Sequence, residues 1–175
     1  DAQLVAAIVA GDRNAFAALY DRYADPLYDV ARSLLRDPHD AADAEQDVFV
    51  IASQRLGQLR EPERVRAWLF SVLRHDVYRR SERRRRTTPT DAFAEQAAPV
   101  MAEDAGGRLE YAELARLVRD AAEGLDDRDR LVLELSVRQG LQGADLAAAL
   151  GVSADQSYSI VFRMRARAER ALGAL

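Results

Sequence analysis

The sequence predicts an all-α protein built as two small helical domains joined by a flexible linker. Three observations lead there. Apolar residues recur at three- and four-residue spacing along most of the 175 residues, the period of an amphipathic helix, and no alternating run is long enough for a strand. Ala, Leu and Arg dominate while aromatics make up only 7% of the chain, a composition that favours helix. Between two helical stretches lies TTPTDAFAEQAAPVMAEDAGG, Thr87 to Gly107, with two Pro, two adjacent Gly and little periodicity.

The elements follow in order. Leu4, Val5, Ile8 and Val9 share one helical face, which Gly11-Asp12 interrupts; Phe16, Leu19, Tyr20 and Tyr23 resume the period. Pro26 is expected at or near a helix start, after which Leu27, Val30, Leu34 and Leu35 continue the stripe. Asp37-Pro38 ends that element, and Asp40 is expected to cap the next, whose buried side is Val48, Phe49, Ala52 and Leu56. Gly57 to Pro62 reads as a turn. A helix from about Glu63 to Arg86 carries Val65, Leu69, Val72, Leu73 and Val77, with room for a break at Arg74 to Asp76. Beyond the linker the pattern returns at Leu109, with Leu114, Leu117, Val118 and Ala121. Then come LDDRDRLVLELSVRQG from Leu125, LQGADLAAALG, and a last helix from about Ala154 to Leu172.

Composition narrows the function. With 49% hydrophobic residues the chain can bury a core, and with 31% charged residues it is expected to be soluble. The absence of Cys excludes disulfides, thiol chemistry and thiolate zinc sites. His39 and His75 stand too far apart in sequence to suggest a shared metal, so neither metal nor other cofactor is expected. No apolar run approaches the ~20 residues a membrane helix needs, and no signal peptide is visible. The expectation is a cytoplasmic protein with no membrane insertion. Position 1 is not Met, which leaves either end open to continuation.

Charge is distributed unevenly. The chain carries −4 overall, yet RHDVYRRSERRRR, Arg74 to Arg86, sets seven arginines against Asp76 and Glu82. A second basic run, RMRARAER, spans Arg163 to Arg170. Local positive charge of this density attracts polyanions whatever the net charge, and two such sites suit one polymer held at two places. Trp68, Phe70 and Tyr78 lie close in sequence to the first run, and aromatic faces beside arginines are the chemistry of single-strand binding. The blander alternatives are that Trp68 is core and the arginine run a solvated helix end.

The second run closes a helix-turn-helix pattern. Leu146, Ala147 and Leu150 give a short helix one apolar face, Gly151 supplies the positive φ that ends it, Val152 fills the corner, and Ser153 offers a cap to the helix beyond. The second helix of such a pair can enter the major groove. A plain helical hairpin would show the same pattern. Tyr158, Ile160 and Phe162 cannot all face one core, because residues two apart lie about 200° apart around a helix. At least one is therefore exposed, to meet thymine methyls or a protein partner.

Taken together and in this order, these residues resemble a bacterial RNA polymerase sigma factor of the extracytoplasmic-function type, a compact class holding only domains 2 and 4. DAADAEQDVFVIASQRLGQLREP resembles the polymerase-binding helix, WLFSVLRHDVYRRSERRRR the segment that reads and melts the −10 element, and LDDRDRLVLELSVRQGLQGADLAAALGVS the start of domain 4. The resemblance implies sigma domain 2 over residues 1–87, a linker over 88–107 and sigma domain 4 over 108–175. It implies core-polymerase contacts at Asp43, Gln46, Asp47 and Phe49. It implies −10 contacts at Arg74, His75, Arg79, Arg80, Arg83 and Arg84, with His75 in a loop that captures a flipped base. It implies −35 contacts at Ser153, Gln156, Tyr158, Ser159, Arg163 and Arg165. The partners implied are core RNA polymerase, promoter DNA and an anti-sigma factor. Two departures stand out. Where the family commonly reads T-V-K-S-R, this chain has Gln156-Ser157-Tyr158-Ser159-Ile160, so a Lys and an Arg give way to Tyr158 and Ile160. Glu45 stands where an apolar residue is common.

The implied function is a dissociable transcription initiation factor, not an enzyme. One rival is a helix-turn-helix regulator acting on duplex DNA as a dimer, against which two unlike basic sites and a long linker argue. Another is a metal-dependent hydrolase using Asp40, Asp43, Glu45 and Asp47; these share no single helical face and lack a nucleophile or activated base. A protein-interaction scaffold would suit Tyr158, Ile160 and Phe162.

Overall fold

The computed structural model describes residues 1–87 and 125–172, and every regular element among them is helical. The expected linker at 88–107 and the helical pattern from Leu109 to Ala121 lie outside the described residues. Helix α1 (Ala2–Val9) is short and buries Val5. Helix α2 (Arg13–Leu35) begins where the Asp12 carboxylate accepts the Asn14 and Ala15 amide N–H groups at 2.8 and 3.3 Å. It ends at Arg36, which takes the left-handed conformation with φ 60°.

Three expectations change here. Pro26 lies inside α2, not at its start. Its missing N–H forfeits one helical hydrogen bond, but Tyr23, Leu27 and Val30 are buried on either side of it, and tertiary packing carries the helix through. Helix α3 (Pro38–Arg55) is capped by Asp37, not Asp40: the Asp37 carboxylate accepts from the His39 and Asp40 N–H groups at 2.8 and 3.1 Å. These bonds hold the Asp37 carboxyl below its usual pKa, and Pro38 sits at the first helical position, where no donor is needed. Helix α4 (Val65–Thr87) runs without the break allowed for at Arg74 to Asp76.

Beyond residue 124, α5 (Asp127–Leu133) opens on an Asp126 cap and widens into a π-helical turn at Glu134–Arg138. Helix α6 (Gly143–Leu150) stops at Gly151, whose φ of +65° suits a residue without Cβ. Helix α7 (Ala154–Leu172) follows, completing the helix-turn-helix read from the sequence. At its start Ser153 and Gln156 form a reciprocal capping box: the Gln156 N–H donates to Ser153 Oγ at 3.2 Å, and the Ser153 N–H donates to Gln156 Oε1 at 3.0 Å.

Helices α2, α3 and α4 pack around Leu19, Leu27, Val30, Val48, Leu69 and Phe70, all essentially inaccessible. Leu131, Val132, Leu135, Leu150 and Met164 fill the space between α5, α6 and α7. The two sets share one continuous core, because α6 lies against α4 and α5 against α2. Polar contacts rim that junction. The Arg66 guanidinium donates to the Gln139 carbonyl, Arg138 approaches Asp29 and Arg64 approaches Asp145, each at 3.8 Å, and Arg85 lies 3.5 Å from Asp127. Burial raises the Asp29 and Glu134 pKa values, and Arg138, which serves both, opposes that shift.

Candidate nucleic-acid interface

The basic surface is the outer face of α4. Arg79, Arg83, Arg84, Arg85 and Arg86 are exposed there, and each long side chain can reach a phosphate while its stem covers the helix. Arg84 lies 3.8 Å from Asp40 and donates to the Leu35 carbonyl at 3.4 Å, so it also ties the end of α4 to the α2–α3 corner.

Arg80 behaves differently. It is only 20% exposed and bridges two helices: Nε donates to Asp76 at 2.5 Å and Nη2 to Asp47 at 2.6 Å. Asp43 and Asp40 stand 3.9 and 4.0 Å from its other terminal nitrogen. Burial opposes its charge, but Asp76 and Asp47 outweigh that and raise its pKa. Asp76 is itself buried and also accepts from Arg79. The structure therefore brings the acids read as polymerase contacts and the arginines read as −10 contacts into one ion-pair network. The carboxylates of the imagined hydrolase converge on a guanidinium, and Glu45 points elsewhere.

His75 is exposed in the middle of α4, not in a loop, with Nε2 3.1 Å from Arg74 Nη2. Arg74 itself is half-buried. Its guanidinium lies against Gly151, where any Cβ would overlap it, and burial lowers its pKa, an effect that Tyr78 partly offsets. Gly151 is required for its positive φ; a Cβ there would also displace the Arg74 guanidinium, the mobile end of a long side chain. Arg74 and Tyr78 form one wall of a cavity of about 420 Å³ whose other wall includes Leu131, Val132 and Ile160. Among the other aromatics, Phe70 is core, while Trp68 is half-buried beside a groove that Arg55, Arg60 and Arg64 also line.

On α7, Ser157, Ile160 and Met164 face inward, and Tyr158 and Phe162 project outward with 78% and 69% exposure. Tyr158 and Phe162 are one turn apart and flanked by the exposed Arg163 and Arg165. Arg163 Nε donates to the Ser159 carbonyl at 3.3 Å, and the Ser159 hydroxyl to the Asp155 carbonyl at 3.1 Å. Ile160 is buried, so of the two departures in the recognition helix only Tyr158 changes the exposed surface. Arg167 is committed inward, donating to the buried Asp129 of α5.

Among the residues expected to meet a protein partner, Asp43 and Gln46 are exposed and Asp47 partly so, but Phe49 is buried. Its ring lies edge-on to Phe16 at 6.4 Å and beneath Tyr20 at 4.6 Å. Tyr20, not Phe49, presents the aromatic surface, with Glu45 beside it. Sequence reading missed both roles. The available signal was Tyr20 and Phe16 at four-residue spacing on α2, opposite an acid at an otherwise apolar position of α3.

Residues 19–87 match the Sigma-70 region 2 family. The chain is 36% identical over 175 residues to the ECF RNA polymerase sigma factor SigM of Mycobacterium tuberculosis, a match that covers 100% of this chain and 86% of that one. It is similar in structure to CnrH in complex with the cytosolic domain of CnrY, with a TM-score of 0.71, 28% identity, and coverage of 99% and 97%. A second similar structure is the sigma factor RpoE in complex with the anti-sigma factor NepR from Bartonella quintana, with a TM-score of 0.71, 25% identity, and coverage of 90% and 96%. No helix among the described residues is long and apolar enough to cross a membrane.

Proposed function

Because the chain belongs to the extracytoplasmic-function family of RNA polymerase sigma factors, we propose that it acts in the cytoplasm as a dissociable initiation factor that gives core polymerase its promoter choice. Residues 1–87 dock on the polymerase through α3 and read and melt the −10 element through α4. Residues 108–175 read the −35 element through the helix-turn-helix, and 88–107 link the two. Catalysis stays with the polymerase. The relatives solved with CnrY and NepR support an anti-sigma partner for this chain as well. The observation that carries the reading is the run of exposed arginines on α4, set on an acidic helix in residues that match Sigma-70 region 2 and followed by a second basic reader on α7.

Run-off transcription with core polymerase tests it. Promoter-specific transcript that depends on this chain is the expected result; duplex binding without transcript would favour the stand-alone regulator instead.

Replacing His75 by Ala is expected to separate binding from melting. An exposed imidazole beside Arg74 can act on a base only once that base has left the stack, so the open complex suffers and the closed complex does not. Permanganate reactivity of −10 thymines should fall about fivefold or more, corresponding to the lower end of base-stacking energies. Equal losses in the two steps would assign His75 to the fold or the duplex contact.

Tyr158→Lys is expected to steepen the salt dependence of −35 duplex binding by about 0.9 in the log–log slope, the increment for one phosphate neutralised. The ring projects from the outward face of α7, so a lysine there reaches a backbone that Tyr158 does not neutralise. A slope unchanged in the folded variant would place that face away from DNA.

A further inference from the structure

Four acids lie on α3, and three of them have arginines close by. Asp47 accepts from Arg80, Asp43 lies 3.9 Å from it, and Asp40 lies 3.8 Å from Arg84. Glu45 is the exception. It is only 7% exposed, and its Oε1 has no hydrogen-bond partner among the described residues. The influences on it are burial, which raises its pKa, the Tyr20 hydroxyl, which opposes that shift, and the like charge of Asp25. A buried carboxyl held by the Tyr20 hydroxyl alone, with one oxygen unsatisfied and no cation beside it among the described residues, destabilises the folded chain, and an apolar side chain of similar size would not.

The surroundings show what would complete it. Phe49 lies one turn further along α3, with the Tyr20 ring over it at 4.6 Å and the Phe16 edge at 6.4 Å. Tyr20 is exposed, and the charges acting on its hydroxyl are those of Glu45, Asp21 and Asp25, all negative. An acid deprived of water, beside a half-exposed aromatic ring in a negative field, is complementary to a planar cation. Guanidinium suits it better than ammonium, because it can stack on a ring while its fork meets a carboxylate.

We propose that Glu45 and Tyr20, over the Phe49 ring, receive an arginine side chain from the polymerase subunit that docks on α3. This rests on the polymerase-docking reading above and relocates its centre. Asp43 and Asp47 already share an internal cation, so docking there must compete with Arg80. Among the described residues Glu45 has no such competitor. The Tyr20 ring shifts to admit the guanidinium, which then pairs with Oε1.

The decisive comparison sets stability against affinity in Glu45→Leu. Thermal melts of the free chain and biolayer interferometry against core RNA polymerase from its own host give the two readouts. The melting temperature is expected to rise, because a buried acid with an unsatisfied oxygen and no cation partner is gone. Affinity for core is expected to fall about thirtyfold or more, the loss typical when one partner of a buried charge pair is removed. Glu45→Gln, which keeps the shape and removes the charge, is expected to flatten the salt dependence of core binding, and Tyr20→Ala to weaken binding without that flattening. A Glu45→Leu chain that melts higher and binds core as well as the wild type overturns the proposal. So does one in which stability and affinity fall together, which would make Glu45 a fold residue. Wild-type chain that fails to bind core at all sinks the docking reading itself, a separate outcome.

Discussion

Arg80→Ala is expected to lower the stability of the free chain by about 2–3 kcal/mol, towards the lower end of what breaking a buried ion pair costs. The magnitude follows from what is left behind. Asp76 is buried and would keep only Arg79, whose own side chain is mostly in solvent, while Asp47 would lose its close partner on α4. Partial exposure of Arg80 and Asp47 is the reason for choosing the lower figure. For a domain of this size the melting temperature should fall by about 5–10 °C. Arg80→Lys should recover only part of that, because one ammonium cannot span Asp76 and Asp47 as the guanidinium fork does. The same network governs how charge reversal on α3 is read. Asp47→Arg would weaken polymerase binding if Asp47 touches the polymerase, but it also sets a cation against Arg80, so its effect on binding has meaning only beside a melt. If Arg80 instead serves the DNA backbone, Arg80→Ala would leave the melt within about 1 °C of wild type while lowering affinity for −10 DNA.

The network also shows where sequence reading runs out. Helical period, the caps and the turn at Gly151 are local, and the elements they mark stand close to where the spacing puts them. Pro26 stands inside α2 because packing weighs the buried neighbours on either side of it, whereas propensity weighs one residue. Asp37 and Asp40 were confused because both lie near the helix start, and only backbone geometry says which carboxylate meets the free N–H groups. Tyr158, Ile160 and Phe162 were legible as a contradiction, since a helix cannot bury residues 200° apart. Which of them turned inward depended on helices far away in sequence. Charge was the least legible signal. A run of arginines looks uniform in one dimension, yet Arg74 is drawn against Gly151, Arg80 is pinned by Asp47 and Asp76, and Arg79 and Arg86 remain largely in solvent. Helical spacing offers Arg80 its Asp76 partner four residues back, but Asp47, 33 residues away, and the Gly151 contact of Arg74 lie beyond any spacing rule.

Ile160→Arg is expected to open the junction between α4 and the helix-turn-helix. Ile160 is 5% exposed and faces the cavity wall formed by Arg74 and Tyr78. A guanidinium placed there would be desolvated beside a like charge whose Nε already lacks a partner among the described residues. The cost runs to several kcal/mol if the junction stays shut, and the polar rim adds little to the apolar packing that opposes opening. That rim is the Arg66 donation to Gln139 and ion pairs of 3.5 to 3.8 Å between partly exposed side chains, each contributing about 1 kcal/mol or less. Separation relieves that charge at the expense of the apolar packing of α6 on α4, and the expected result is that the relief wins. It matters for function because Arg74, expected among the −10 contacts, and the neighbouring Tyr78 face the helix-turn-helix in this arrangement. If these two side chains meet the melted strand, the strand is expected to reach them only after the two parts move apart. Small-angle scattering should report a larger radius of gyration for Ile160→Arg at unchanged helicity. Affinity for a single-stranded −10 oligonucleotide should rise about tenfold, as expected when a binding-competent state goes from a minor to the dominant population. Ile160→Ala, which removes packing without adding charge, should move both readouts in the same direction by less. Unchanged scattering and unchanged strand affinity in a folded Ile160→Arg chain would mean that the junction does not gate the −10 surface.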